Sequence, residues 1–337
     1  MSALMDAKPR AAAEQPVLEV RELKTWIRSR DADTVLRVVD GISFALAAGE
    51  SLGIIGESGS GKSMTAMSLM RLLPAGTHSE GSVVLDGEHL ETKSPRQLRE
   101  VRGRKIAMIL QDPMVALDPL FNIGDQLAAP LRNHLQLRGE ELEQRMISLL
   151  SAVGISAPAD RLEQYPHEMS GGMLQRVVGA IAISCDPAVL IADEPTTGLD
   201  VTVQAQFLDL LEDLQRKHRL ALILITHDLG VAVRVCKRIA VMYAGRIVET
   251  GPMELVLEHP AHPYTQALLA SAPHMGGLSR GSLPTIPGSP PDLGRLTAGC
   301  AFAPRCPKAF DRCHVETPPD IPVSENHSAR CWLAVPT

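Results

Sequence analysis

The sequence predicts an α/β protein whose helices wrap a mostly parallel sheet. Three observations carry that prediction. Gly56-Glu57-Ser58-Gly59-Ser60-Gly61-Lys62-Ser63 fits the phosphate-cradling pattern G-x-x-x-x-G-K-[ST], between an apolar run, Leu52 to Ile55, and a helical stretch, Met64 to Leu73. Ala188 to Glu194 and Leu220 to Ile225 are unbroken apolar runs tipped by polar side chains, as expected of strands buried on both faces. From Met114 to about Arg161 the pattern turns helical and β-branched residues thin out, which reads as a helical insertion in that core.

Taken in order, residues 1–16 are Ala-rich and polar and predict a flexible tail without the apolar segment of a signal peptide. Val17 to Leu23 and Gly41 to Leu46 predict strands ahead of the phosphate loop. Trp26 lies just after the first strand and offers a face for an adenine, or is an edge aromatic. In the loop itself the glycines let successive N–H groups turn toward phosphate oxygens, where a Cβ would obstruct. Gly56 to Ser63, with Met64 behind them, are the expected nucleotide-contacting residues. Lys62 would reach the β- and γ-phosphates, the Ser63 hydroxyl would ligate Mg²⁺, and the helix dipole would add to the site.

Beyond the loop, Gly81 to Gly87 and Ile106 to Leu110 predict strands, the second ending at Gln111. A neutral amide there can hold a Mg²⁺-bound or attacking water without adding charge. Ile123 to Leu137 and Glu140 to Val153 predict helices of the insertion. Ser170-Gly171-Gly172-Met173-Leu174-Gln175 follows, with Ser170 as N-cap and a helix expected over Gln175 to Ser184. Its glycine N–H groups would make a second anion site, useful if it closes over a nucleotide held by another protomer. The strand from Ala188 ends in Asp193, a Mg²⁺ partner, and Glu194, a base for the attacking water. Thr202 to Lys217 predicts an amphipathic helix after Asp200. The next strand is tipped by His227, placed to hydrogen-bond a γ-phosphate, and a hairpin turns at Ala244-Gly245 before the core closes near Gly251.

The 337 residues are 45% hydrophobic and 21% charged, enough for a large core and a smaller second unit. A net charge of −6 argues against a general nucleic-acid binder. No apolar run approaches bilayer length, so work at a membrane would pass through a partner protein.

Together, the phosphate loop, Gln111, Ser170-Gly171-Gly172-x-x-Gln175, Asp193-Glu194, Asp200 and His227 resemble the nucleotide-binding subunit of an ATP-binding cassette (ABC) transporter over roughly residues 17–251. The resemblance implies a P-loop cassette: a RecA-like core, an antiparallel β subdomain and a helical subdomain at about 114–185. It implies a head-to-tail dimer, with a second ABC ATPase subunit or a second copy. Two ATP molecules would then lie between the loop of one protomer and the Ser-Gly-Gly signature of the other, with Gln175 and Asp200 on the signature side. Gln111 would face the membrane partner, Glu194 would be the base, and His227 the γ-phosphate switch. Two departures stand out: Met169 opens the signature where Leu is common, and Ile27 occupies the usual place of the aromatic, one residue from Trp26.

Ile191 to Gln206, Thr226 to Val231 and His262-Pro263-Tyr264-Thr265 resemble the oligopeptide/dipeptide importer branch. That implies ATP hydrolysis coupled to two transmembrane permease subunits at the cytoplasmic face of the inner membrane, with an extracytoplasmic binding protein upstream. The alternatives are the same ATPase serving nickel, glutathione or another solute, and, more distantly, a soluble ABC ATPase acting on DNA or ribosomes.

Fourteen of the 25 prolines fall at or after Pro252, which marks residues 252–337 as a separate extension. It contains a helix at Tyr264 to Ala270, a Gly/Pro/Ser linker to Pro291, and Cys300, Cys306, Cys313 and Cys331 in the spacing C-x₅-C-x₆-C-x₁₇-C. Four cysteines with little apolar sequence suggest a metal staple, zinc or iron–sulfur, or else reduced thiols. The family resemblance favours a [4Fe–4S] cluster. Cys185 and Cys236, in apolar helical contexts, read as core residues.

Overall fold

The computed structural model describes residues 15–28, 35–272, 285–296 and 298–335. The expected N-terminal tail, except residues 15 and 16, and most of the Gly/Pro/Ser linker lie outside the described residues. Twelve strands are described: β1 (Leu18–Arg28), β2 (Val35–Leu46), β3 (Ser51–Ile55), β4 (Thr77–Leu85), β5 (Glu88–His89), β6 (Ile106–Ile109), β7 (Val189–Asp193), β8 (Ala221–Thr226), β9 (Arg238–Tyr243), β10 (Arg246–Pro252), β11 (Ile321–Ser324) and β12 (His327–Ala329).

They form two sheets. An eight-stranded sheet runs β11-β12-β10-β9-β3-β8-β7-β6, and a four-stranded sheet runs β2-β1-β4-β5. The β9-β3-β8-β7-β6 portion is parallel throughout. Its strands are buried on both faces because alternate side chains enter different cores. Leu190 and Ala192 of β7 and Leu222 and Leu224 of β8 point into a core shared with the helical insertion. Val189, Ile191, Ile223 and Ile225 point into one shared with the antiparallel sheet. The first functional side chains therefore stand where β3, β7 and β8 end side by side.

The phosphate-loop helix spans Lys62–Leu69, shorter than the pattern to Leu73 predicts, because Arg71 takes a left-handed φ of 56°. The insertion contains helices Ile123–Pro130, Gly139–Ala152, Pro158–Leu162 and Gly171–Ile183. Ile123 to Leu137 is not one α-helix. Pro130, which has no N–H to donate, precedes a π-helical turn, Leu131–Leu135, and Gln136 closes it at φ 60°. The signature helix starts at Gly171 instead of Gln175, with Ser170 as its N-cap accepting from the Met173 N–H at 3.4 Å.

The extension does not stand apart from the core. The boundary expected at Gly251 falls inside β10, and the β11-β12 hairpin adds to the sheet by pairing Glu249 with Ala329. Buried Glu249 organises this junction: its carboxylate accepts the N–H groups of Ala261 (2.7 Å) and His262 (2.9 Å) and faces His327 Nε2 at 2.8 Å. Phe302 and Tyr264 are fully buried in the main core beside Tyr243, with ring centroids 4.6 to 5.4 Å apart.

Candidate functional site

The loop 56–61 leaves β3 and enters its helix through Gly61, whose φ of 104° suits glycine. A Cβ on Gly61 would lie 2.2 Å from the Val38 carbonyl oxygen, and one on Gly56 2.1 Å from that of Met242. The loop is thus pressed against β2 and β9. The hairpin turn ties it further: Gly245 donates its N–H to Ser60 O, and Asp40 donates to Gly245 O, each at 2.8 Å. As cap, Gly61 offers no side-chain acceptor, so the N–H groups of the first helical turn stay available to an anion. The Ser60 hydroxyl is buried without a partner among the described residues. These are features that a bound polyphosphate would complete.

Lys62 Nζ donates to the carbonyl oxygens of Gly56 (2.8 Å) and Glu57 (3.0 Å), inside the loop it would serve. Burial lowers its pKa, and the charges of Glu194, Asp193 and Glu57 oppose that shift. Ser63 Oγ donates to Asp193 Oδ1 at 3.1 Å across 130 residues of sequence. Burial raises the Asp193 pKa, the Ser63 hydrogen bond opposes it, and Glu194 adds to the rise. A hydroxyl and a buried carboxylate in contact form a hard-oxygen donor pair of the kind Mg²⁺ takes.

Glu194 follows β7 with a left-handed φ of 46°, which a non-glycine residue holds only at a cost of about 1–3 kcal/mol. Its N–H donates to the Ile225 carbonyl at 2.8 Å, which fixes that backbone. Its Oε2 meets Gln111 Nε2 (3.3 Å), the Thr197 hydroxyl (3.2 Å) and His227 Nδ1 (3.1 Å). The ends of β6, β7 and β8 therefore bring Gln111, Asp193, Glu194 and His227 together beside Lys62 and Ser63.

The signature forms a second, separate recess of about 460 Å³, lined by Ser170, Gly171, Gly172, Asp200 and Arg176 among others. Asp200 caps the long helix Val201–His218 through the N–H groups of Thr202 and Val203, both at 3.0 Å. Gln175 is not brought to this surface. It is buried and donates to the Pro195 carbonyl at 2.7 Å, tying the signature helix to the segment after Glu194. Trp26 stacks on His78 (centroids 5.9 Å) beside a recess of about 340 Å³ bordered by β2, the strand whose Val38 carbonyl abuts Gly61.

The expected metal staple is not assembled: among the described residues, no three His, Cys, Asp or Glu side chains are grouped to hold a metal ion. Cys300, Cys306, Cys313 and Cys331 make no such group. Burial first, then neighbouring thiols, pushes Cys300, Cys306 and Cys331 above the usual thiol pKa. What fastens the extension is apolar packing, the Glu249 carboxylate and an arginine, Arg305, forked onto Glu57 (Nη1–Oε2 2.6 Å, Nη2–Oε1 3.0 Å). Cys185 and Cys236 are core residues, and burial drives the Cys236 pKa to about 12.

Three contributors escaped the sequence reading. Thr197 had a signal, being three residues past Glu194. Tyr264, whose hydroxyl accepts the Glu57 N–H at 2.8 Å, lies in a motif quoted only for its family resemblance. Arg305, 248 residues from Glu57, had none.

Comparison with known proteins finds a family model described as ABC transporter matching residues 39–197. A second, described as the oligopeptide/dipeptide transporter C-terminal region, matches 248–313. A putative peptide import ATP-binding protein of Brucella ovis is 44% identical over 331 residues, covering 95% of this chain and 97% of that protein. The dipeptide transport ATP-binding protein of Bacillus subtilis is 46% identical over 300 residues, covering 88% and 89%. Among solved structures, a dimeric bacterial ABC transporter cassette, MJ0796, has a TM-score of 0.61 at 25% identity and covers 70% of this chain and 98% of its own. CbiO1 of Clostridium perfringens has a TM-score of 0.60 at 26% identity, covering 73% and 92%.

Proposed function

This chain belongs to the ATP-binding subunits of ABC transporters, in the oligopeptide/dipeptide importer family, and from that premise we propose that it hydrolyses ATP to drive peptide import. The observation that carries the reading is the convergence on Glu194. One carboxylate, held by Gln111, Thr197 and His227, stands beside the Ser63–Asp193 pair and Lys62.

In this reading Gly56 to Met64 cradle the phosphates, and Lys62 leaves its two carbonyl partners for the β- and γ-phosphates. Ser63 and Asp193 would hold Mg²⁺, with Gln111 through water. Bound there, the ion neutralises phosphate charge. Glu194 orients the attacking water and takes its proton, while His227 exchanges Glu194 for the γ-phosphate. Trp26 stands for the adenine face. Ser170, Gly171, Gly172 and Asp200 complete the site of a second ATPase subunit; Gln175 supports them from behind.

Among the described residues, no helix is long and apolar enough to cross a membrane. Docking is assigned instead to permease subunits at the cytoplasmic face of the inner membrane. Four exposed apolar residues in the segment that follows Gln111, namely Met114, Val115, Leu120 and Phe121, support that assignment. Peptide cargo, delivered by an extracytoplasmic binding protein, is supported by the names of the relatives and by the match of the C-terminal region. The [4Fe–4S] assignment gains no support from the cysteine geometry and enters no step.

The test is uptake of labelled peptides of two to five residues by cells lacking the gene. Wild type is expected to restore uptake and Glu194→Gln to fail while retaining bound MgATP. Uptake restored by Glu194→Gln refutes the base assignment, and uptake that never depended on the gene refutes the cargo.

A further inference from the structure

Glu57 is an acid at the second position of a phosphate-binding loop, where its charge opposes a polyphosphate. It is also the most heavily tethered residue of the loop. Its carboxylate is gripped by both terminal nitrogens of Arg305, whose side chain is only 6% exposed. Arg305 is itself held: Nε donates to the Pro287 carbonyl at 2.8 Å, and Nη1 also reaches the Tyr243 hydroxyl at 3.3 Å. The Glu57 N–H donates to buried Tyr264, and the Glu57 carbonyl accepts from Lys62. Two segments of the C-terminal extension thus close on one residue, whose carbonyl holds the loop lysine.

We propose that Arg305, with Tyr264, is a positioning residue for nucleotide binding: the extension cancels the loop's carboxylate charge and fixes the Glu57 peptide so that the cradle accepts MgATP. This rests on the ATP reading above. Neither residue needs to touch the nucleotide. An ordinary structural tie would make Glu57 and Arg305 equivalent, since losing either partner breaks the same fork. Charge cancellation makes them opposite. Removing the arginine leaves a bare carboxylate at the phosphates, whereas removing the carboxylate leaves none.

The experiment measures equilibrium binding of MgATP to the purified full chain, and KM and kcat for ATP in the assembled transporter. Lys62→Ala and wild type are the references; wild type that fails to bind MgATP refutes the ATP reading and not this one. Arg305→Gln is expected to weaken MgATP binding about tenfold or more and to raise KM with kcat within about twofold. Glu57→Gln, which keeps the backbone of the cradle and the Tyr264 tie, is expected to lose clearly less affinity than Arg305→Gln, and Glu57→Gln/Arg305→Gln to recover most of the loss. Tyr264→Phe, which keeps the buried ring and so the fold, is expected to weaken binding about three- to tenfold. Wild-type affinity in both Arg305→Gln and Tyr264→Phe overturns the proposal. So does a double variant that binds as weakly as Arg305→Gln alone.

Discussion

At the residue scale, the site depends on contacts too close to tolerate one extra carbon. A Cβ at Gly61 would collide with the Val38 carbonyl, and the positive φ adds strain. Gly61→Ala is therefore expected to abolish detectable MgATP binding while Gly59→Ala, where no atom lies within 4 Å, retains more; equilibrium nucleotide binding compares them. Thr197 acts on the glutamate twice, its hydroxyl donating to the carboxylate and its N–H to the carbonyl, each at 3.2 Å, and only the first is lost on side-chain substitution. Thr197→Val should lower kcat about three- to tenfold with KM unchanged, as measured by steady-state ATPase assay in the assembled transporter. A change confined to KM would remove Thr197 from the catalytic group. Glu194 was readable as a carboxylate at a strand end. Its left-handed backbone was not, because that φ is imposed by its N–H bond to β8.

At the element scale, the helix Pro263–Ser271 shows how a short motif is used. His262 caps it, its Nδ1 accepting the Tyr264 N–H at 3.0 Å, Pro263 occupies the first turn, and Tyr264 reaches the phosphate loop. Burial lowers the His262 pKa from 6.5 to about 4. The unfolded chain therefore binds a proton between those values that the folded one refuses. Stability from this group is complete above pH 6.5 and falls as the pH drops toward 4, by about 3 kcal/mol in all. Glu249, which accepts the His262 N–H, and His327, which faces Glu249, pack beside it, so the comparison with a variant isolates the effect. His262→Asn keeps a cap acceptor and should flatten the pH dependence of the denaturation midpoint in that window. An unchanged slope would show that His262 carries no part of it. In the same element cluster, Phe302→Ala is expected to cost about 3–5 kcal/mol in chemical denaturation, because its ring is fully enclosed by Tyr243, Tyr264 and His262.

At the scale of the whole molecule, the proposed reading gives the chain two incomplete halves of a nucleotide site. The phosphate loop with its carboxylates lies at the ends of β3, β7 and β8, and the signature recess is lined by a different set of residues. Two subunits arranged head to tail would complete both. Glu194→Gln with MgATP, alone or mixed with the partner ATPase, is expected to run at dimer mass in size-exclusion chromatography with light scattering. Ser170→Arg, which fills the signature side, should keep it monomeric. A monomer under all these conditions would refute the shared site.

The sequence by itself determined the parallel core, the phosphate loop and the strand-end residues, because these follow from local rules. A period of two, a run of apolar residues or a glycine spacing is complete within a dozen positions. It also drew a compositional break at Pro252. Only the tertiary structure decided what that break means. The extension lends a hairpin to the main sheet, buries Tyr264 and Phe302 in the main core, and returns Arg305 to Glu57. Gln175 turned inward and, among the described residues, four cysteines that make no metal-holding group were decided there too. The physical reason is the same in each case. A contact between residues far apart along the chain depends on how the elements pack, and no local pattern of residues encodes that packing.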